Sequence, residues 1–289
     1  RDVAPSRGLG DVYKRQFNAP ELLVLSKIIN PKCKVVSTIH GIDQFKNIGK
    51  NKILLKDWVC DQFIGISDAV VEDIVSAGID KKKVVRVYNG IETKKYECAR
   101  LKKYDKNAIV IGCIARIMPE LKGQDILLEA IKLIKIQHPN VLALFVGGVA
   151  EKQRRDFEQL KKYVKENSLE ENVKFLGNID NIPEFLNEID ICVVPSRSEG
   201  FGLALVEAMA MGVPCIASNI AGPREIVMNE GIGELFENGD SKSLSKKIEE
   251  VISKYDDIKK ATWKYKLKVR QNYSIEYMCS RLLRIYTEK

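Results

Sequence analysis

The sequence predicts an α/β protein built from two doubly wound units, each a parallel sheet with helices on both faces. Three observations predict it. Short, almost wholly apolar runs recur along the chain, as strands buried on both faces of a parallel sheet require. Amphipathic helical stretches separate those runs, which is the pattern of βαβ units. The alternation is broken once, by the polar and Lys-rich stretch 92–107, which fits a linker between domains.

The elements follow in order. The chain has 289 residues, room for about two domains at roughly 100–200 residues each. Residues 1–16 lack an initiator Met and any apolar periodicity, and are expected to be disordered or non-native. The first unit is placed at 17–95, with strands at 34–39, 62–66 and 84–88 and helices at 53–59 and 68–77. A doubly wound unit usually has about five or six strands, so this one is expected to be incomplete on its N-terminal side. The linker is placed at 96–106.

The second unit, 107–272, has strands at 108–115, Val141–Val146, 173–175, Ile191–Val194 and 213–217. Its helices fall at 124–137, 151–167, Ile182–Glu188 and 203–211. In 124–137 the residues Ile126, Leu127, Ala130, Ile131 and Ile134 share one helical stripe. About six βα units run to Ser253, and the rest of the chain is helical. A break at Tyr273 and Ser274 sets off a terminal segment, 273–289, with a helix over Ile275–Thr287.

Composition narrows the function classes. Hydrophobic residues make up 45% and charged residues 30%, ordinary for a globular protein. Cys33, Cys60, Cys98, Cys113, Cys192, Cys215 and Cys279 are scattered and never form a C-x-x-C pair. With His40 and His138 as the two imidazoles, no zinc-type cluster is readable, and the cysteines fit small core residues in a reducing compartment. No metal is expected. No apolar run reaches the ~18 residues of a membrane span, and no signal peptide is readable.

Net charge is +8, which a nucleic acid, an anionic membrane surface or a phosphate-bearing small molecule could match. The Lys pairs and triplets are dispersed along the chain, as on solvated faces, so nucleic acid is not an expected partner. No G-x-G-x-x-G follows a strand, which disfavours a Rossmann dehydrogenase.

The chemistry concentrates after the strand ending at Val194. The chain there reads Pro195-Ser196-Arg197-Ser198-Glu199-Gly200-Phe201-Gly202-Leu203 and enters a helix. Ligands of open α/β sheets bind at the carboxyl ends of strands. A helix N-terminus adds free N–H groups and a positive dipole end, and glycines allow close backbone approach, so an anion site is sensible. Glu199 and Glu207 would repel a phosphate but suit sugar or ribose hydroxyls. On spacing alone, a solvated loop Glu and a helix-start Glu are the favoured explanation of the pair. His40 ends an apolar strand at the same edge of its sheet, where a structural or a ligand-facing role is open. His138 precedes Pro139 at a helix end and reads as a surface residue.

Glu199 and Glu207, eight apart around Gly-Phe-Gly, resemble the E-x7-E motif of retaining GT-B glycosyltransferases of family 4, also called glycosyl transferases group 1. The segment Arg116-Ile117-Met118-Pro119-Glu120-Leu121-Lys122-Gly123 resembles that family's Arg…Lys-Gly segment. It carries one more residue between Arg and Lys, and Ala115 where Gly is commoner. Asn89-Gly90-Ile91-Glu92, Phe175-Leu176-Gly177 and Gly222-Pro223-Arg224-Glu225 follow in the family's order.

The resemblance implies a GT-B fold of two Rossmann-like domains, the first incomplete. It also implies transfer of a sugar, with retention, from a nucleotide-diphosphate sugar to a glycan or lipid-linked acceptor in cell-surface polysaccharide synthesis. Arg116 and Lys122 would clamp the diphosphate, Glu207 would accept from the ribose, and Glu199 would contact the donor sugar. Backbone N–H groups of Gly200, Phe201, Gly202 and Leu203 would help hold phosphate and sugar, and His40 would reach the sugar from the opposite domain. No cofactor or metal is implied beyond the donor itself. Cytoplasmic work at a membrane face, with peripheral association, goes with the family. A donor-binding fragment without turnover and a GT-B sugar-nucleotide epimerase are the alternative functions. A glycan phosphorylase would need a pyridoxal-phosphate lysine site and a much longer chain.

Overall fold

The structure is a computed structural model that describes residues 24, 27–46, 48–97, 104 and 107–287. The expectation for residues 1–16 lies outside the described residues, as does most of the 96–106 linker.

Two parallel sheets form an α/β architecture in two Rossmann-like parts. The first sheet has β1 (Val36–Ile39), β2 (Gln62–Gly65) and β3 (Val84–Arg86) in the order β1-β2-β3, with Val36 opposite Gln62 and Phe63 opposite Val84. Its helices are α1 (Lys50–Val59) and α2 (Asp68–Ser76). Ser67 caps α2 by accepting a hydrogen bond from the Val70 amide, which satisfies one of the donors a helix start leaves open.

The second sheet has β4 (Ile109–Ile114), β5 (Val141–Val146), β6 (Val173–Gly177), β7 (Ile191–Val194), β8 (Cys215–Ser218) and β9 (Glu234–Phe236). Their order is β6-β5-β4-β7-β8-β9, all parallel. The chain winds outward from β4 through β5 to β6, then restarts on the other side at β7. The crevice between the carboxyl ends of β4 and β7 is therefore the topological switch point, where doubly wound sheets bind ligands.

The all-apolar strands bury both faces, as a parallel sheet covered by helices demands. Along β5, Leu142, Leu144 and Val146 enter one core, while Val141, Ala143 and Phe145 enter the other. The first of these cores also holds Phe63 and Val70 from the first sheet's side, so the two sheets share packed apolar contacts.

The covering helices of the second sheet are α3 (Pro119–Lys122), α4 (Gln124–Ile134), α5 (Arg154–Glu166), α6 (Ile182–Glu188), α7 (Leu203–Ala210), α8 (Ala221–Glu230) and α9 (Ser241–Ser253). The chain ends in α10 (Tyr255–Asn272) and α11 (Ile275–Thr287). Between these two, the Ile91 amide donates to Tyr273 O at 2.8 Å and the Ile275 amide to Ile91 O at 2.9 Å. A Cβ on Gly90 would lie 2.6 Å from the Ile275 Cα, so only glycine lets these backbones meet.

Helix α8 and strand β9 are among the elements that the sequence pattern does not place. Helix α8 forms although Gly222 and Pro223 open it, because a proline in the first turn loses no hydrogen bond the helix needs. Strand β9 is three residues long, too short for periodicity to register, and forms by pairing with β8. Among the described residues, no helix is long and apolar enough to cross a membrane.

Candidate functional site

The site is built from the loops at the switch point. After β4 the chain passes Arg116 and enters the single helical turn α3, which ends on Gly123 in the left-handed region (φ +65°). A Cβ on Gly123 would sit 1.9 Å from Pro195 O, so this turn lies flush against the end of β7. The stretch between Arg116 and Lys122 folds into this turn, with the Lys122 amide donating to Met118 O at 2.7 Å. Arg116 itself is exposed, and its carbonyl accepts from the buried side chain of Gln124 at 2.8 Å.

The β7 loop is fastened to the same turn. Arg197 grips Asp125 with both guanidinium ends, at 2.7 and 2.6 Å, and also donates to Pro119 O at 2.7 Å. Across this join, Lys122 Nζ meets Glu199 Oε2 at 2.5 Å, with the two side chains 21% and 22% exposed. Lys122 and Glu199 thus form a half-buried ion pair spanning the switch-point crevice.

Beyond Glu199, Gly202 takes φ +112°, a conformation L side chains rarely adopt, and turns the chain into α7. The N-terminus of α7 presents its first N–H groups and positive dipole end there. The Phe201 ring is buried in an aromatic cluster with Tyr88 and Tyr273, at centroid distances of 5.6 and 5.8 Å. Phe201 therefore offers the crevice its backbone, while its ring anchors the loop. Leu203, by contrast, is 43% exposed at the start of α7.

Glu207 lies just over one turn into α7. Burial pushes its carboxyl above the ordinary glutamate value, opposed by a hydrogen bond from the Tyr96 hydroxyl. Tyr96 comes from the 3-10 turn Thr93–Tyr96, at the edge of the polar stretch between the two sheets, and is itself buried.

The first sheet closes the crevice from the other side. His40 follows β1, and a Cβ on Gly200 would meet its carbonyl oxygen at 2.9 Å. The imidazole is surface-accessible, yet the surrounding atoms desolvate it enough to draw its pKa below the ordinary histidine value. Next to it, the Ser67 hydroxyl donates to Gly200 O at 2.7 Å.

The structure brings Lys122, Glu199, Gly200 and the His40 backbone together, with Arg116 exposed just after β4 and Gly202 and Glu207 at the start of α7 and one turn into it. Sequence reasoning gave no role to Arg197, Gln124, Tyr96 or Glu225. Arg197 directly follows a strand at the switch point, and that position was the signal available for it. Gln124 reaches only eight residues back, to the Arg116 carbonyl, whereas the partners of Tyr96 and Glu225 lie far away in sequence. Such an arrangement offers a cation and helix-end amides to a phosphate, and carboxylates to hydroxyls. Among the described residues, no group of three or more His, Cys, Asp or Glu side chains could hold a metal ion.

Comparison with known proteins fits this geometry. The family pattern described as glycosyl transferases group 1 matches residues 99–269, and that described as glycosyltransferase family 4 matches residues 15–95. The chain is 28% identical over 229 residues to the capsular polysaccharide biosynthesis glycosyltransferase CapM of Staphylococcus aureus, covering 75% of this chain and 58% of that protein. It is 27% identical to the N-acetyl-alpha-D-glucosaminyl L-malate synthase of Bacillus anthracis, covering 84% of this chain and 65% of that protein. It thus spans about three-fifths of the length of these curated relatives. In fold it is similar to Anabaena Alr3699/HepE, solved in complex with UDP. The TM-score is 0.82 at 23% identity, over 94% of this chain and 78% of that one. The chain belongs to the glycosyl transferases group 1 family, on a GT-B fold.

Proposed function

We propose that this chain moves a sugar from a nucleotide-diphosphate sugar to a glycan or lipid-linked acceptor, with retention of configuration, in cell-surface polysaccharide synthesis. The observation that carries this reading is the Lys122–Glu199 ion pair, 2.5 Å across the switch-point crevice, with His40 closing over Gly200. Such a crevice suits a donor whose diphosphate meets Lys122 and Arg116 and whose sugar hydroxyls meet Glu199 and His40. Glu207, on the inner wall, suits the ribose. The capsular role of the Staphylococcus aureus relative and the UDP in the Anabaena structure support the substrate class.

In this mechanism the acceptor oxygen bonds to the anomeric carbon as the bond from that carbon to the phosphate oxygen breaks. The acceptor proton passes to the departing diphosphate on the same face, which gives retention. Lys122, Arg116 and the α7 amides stabilise the charge that develops on the phosphate, and the remaining contribution is positioning. The reaction is proposed to need no metal. It is placed in the cytoplasm at the membrane face, where lipid-linked acceptors lie.

Calorimetric titration with UDP, GDP and ADP tests the reading. One of them should bind with micromolar-range affinity, weaken on Arg116→Ala, and keep its affinity in EDTA. Silence from all three would overturn the proposal. Donor binding without turnover is the second reading. Nucleotide binding with no sugar transfer would select it.

A further inference from the structure

Glu225 has no part in the donor contacts above, yet it is the most heavily engaged carboxylate at the junction of the two sheets. Its side chain is 11% exposed. It accepts from the Asp68 amide at 3.0 and 2.8 Å and from the Tyr88 hydroxyl at 2.7 Å, and lies 3.5 Å from the Arg86 guanidinium. All three partners belong to the first sheet or its helix α2, whereas Glu225 belongs to α8 of the second. The carboxylate sits at the N-terminus of α2, where a helix favours negative charge.

The opposite end of the same turn touches the donor loop. A Cβ on Gly222, one helical turn before Glu225, would lie 2.7 Å from Gly200 C and Phe201 N and 2.8 Å from Glu199 O. The first turn of α8 is thus wedged between the Glu199–Phe201 loop and the start of α2. Ser67 ties the same two parts together by donating to Gly200 O at 2.7 Å.

We propose that Glu225 is a positioning residue: by holding the start of α2 it sets the first sheet against the Glu199–Phe201 loop and so fixes His40 over the donor sugar. This rests on the proposed glycosyl transfer, but the contact itself can be tested without it. A nucleotide held by the second sheet alone should not sense the loss of Glu225. A sugar gripped from both sides should.

The experiment uses the whole chain and the variants Glu225→Ala, Glu225→Gln and Tyr88→Phe. Amide hydrogen exchange over residues 67–72 should accelerate at least tenfold in Glu225→Ala. The acceleration should be smaller in Glu225→Gln, which keeps one acceptor, and in Tyr88→Phe, which keeps the ring. Titration with UDP, GDP and ADP should give a dissociation constant within twofold of the parent. The kcat for release of nucleoside diphosphate from UDP-glucose, GDP-mannose or ADP-glucose should fall at least tenfold in Glu225→Ala and partly recover in Glu225→Gln. Unchanged exchange at 67–72 overturns the inference, as does a loss of nucleotide affinity parallel to the loss of turnover. If none of the nucleotides binds the parent chain, the proposed function fails, and the exchange measurement still decides whether Glu225 holds the junction.

Discussion

The two sheets meet the crevice with different equipment. The six-stranded sheet supplies charge that is already paired and fastened: Lys122 on Glu199, and Arg197 locking the β4 and β7 loops through Asp125. The three-stranded sheet supplies His40 and a capped helix end, held in place by tethers from the other side at Gly200 and Glu225. One wall is preorganised by its own sheet, and the other is preorganised only by docking. Mutations in the first should therefore damage binding or chemistry according to whether the side chain meets the phosphate or the sugar, and mutations at the seam should damage chemistry alone.

The largest expected effect tests the charged wall at its reacting end. Glu199→Gln should cut transfer roughly 10²-fold while nucleoside-diphosphate affinity stays within about threefold, because the change falls on the sugar and spares the phosphate. Steady-state kinetics beside calorimetry check this, and unaltered turnover would remove Glu199 from the site. Next comes Lys122→Ala. A charge-assisted bond to phosphate contributes about 1.5–3 kcal/mol, so affinity should fall roughly 10- to 100-fold. An unshifted titration curve would break the contrast between the walls.

Gly200→Ala probes the seam. Its Cβ would arrive 2.9 Å from the His40 carbonyl, a backbone atom that can yield only by moving the sheets apart. A displacement well under 1 Å at a reacting centre should cost roughly tenfold in kcat with nucleotide affinity preserved. Equal loss of both would mean that the two walls are not separable.

The smallest effect concerns Glu207. Burial lifts its pKa, so the folded state binds that proton more tightly than the unfolded chain does. The associated stability is present at low pH and is lost as pH rises through the folded value. Glu207→Gln should therefore gain melting temperature relative to the parent as pH rises above the ordinary glutamate value, where the parent must ionise a buried carboxyl. Thermal melts across that range check the slope, and a constant difference would place Glu207 in water.

The sequence carried the architecture because buried parallel strands must be apolar along their whole length. Ile191–Val194 and Val141–Val146 could be read directly for that reason. The glycines around Glu199 marked the loop where the backbone turns sharply, and Gly202 does take a left-handed conformation. Strand β9 escaped because three residues carry no period, and α8 because its opening Gly-Pro imitates a turn.

By itself, then, the sequence determined the strand-helix alternation and the glycine-bearing turn that leads from β7 into α7, since these are properties of neighbouring residues. Only the tertiary structure decided that Lys122 pairs with Glu199, that Tyr96 holds Glu207, and that Glu225 grips the start of α2. Those pairs lie 77, 111 and 157 positions apart, and a hydrogen bond needs its partners placed to within a fraction of an ångström. Strand order and loop closure set that placement, and no local pattern encodes it.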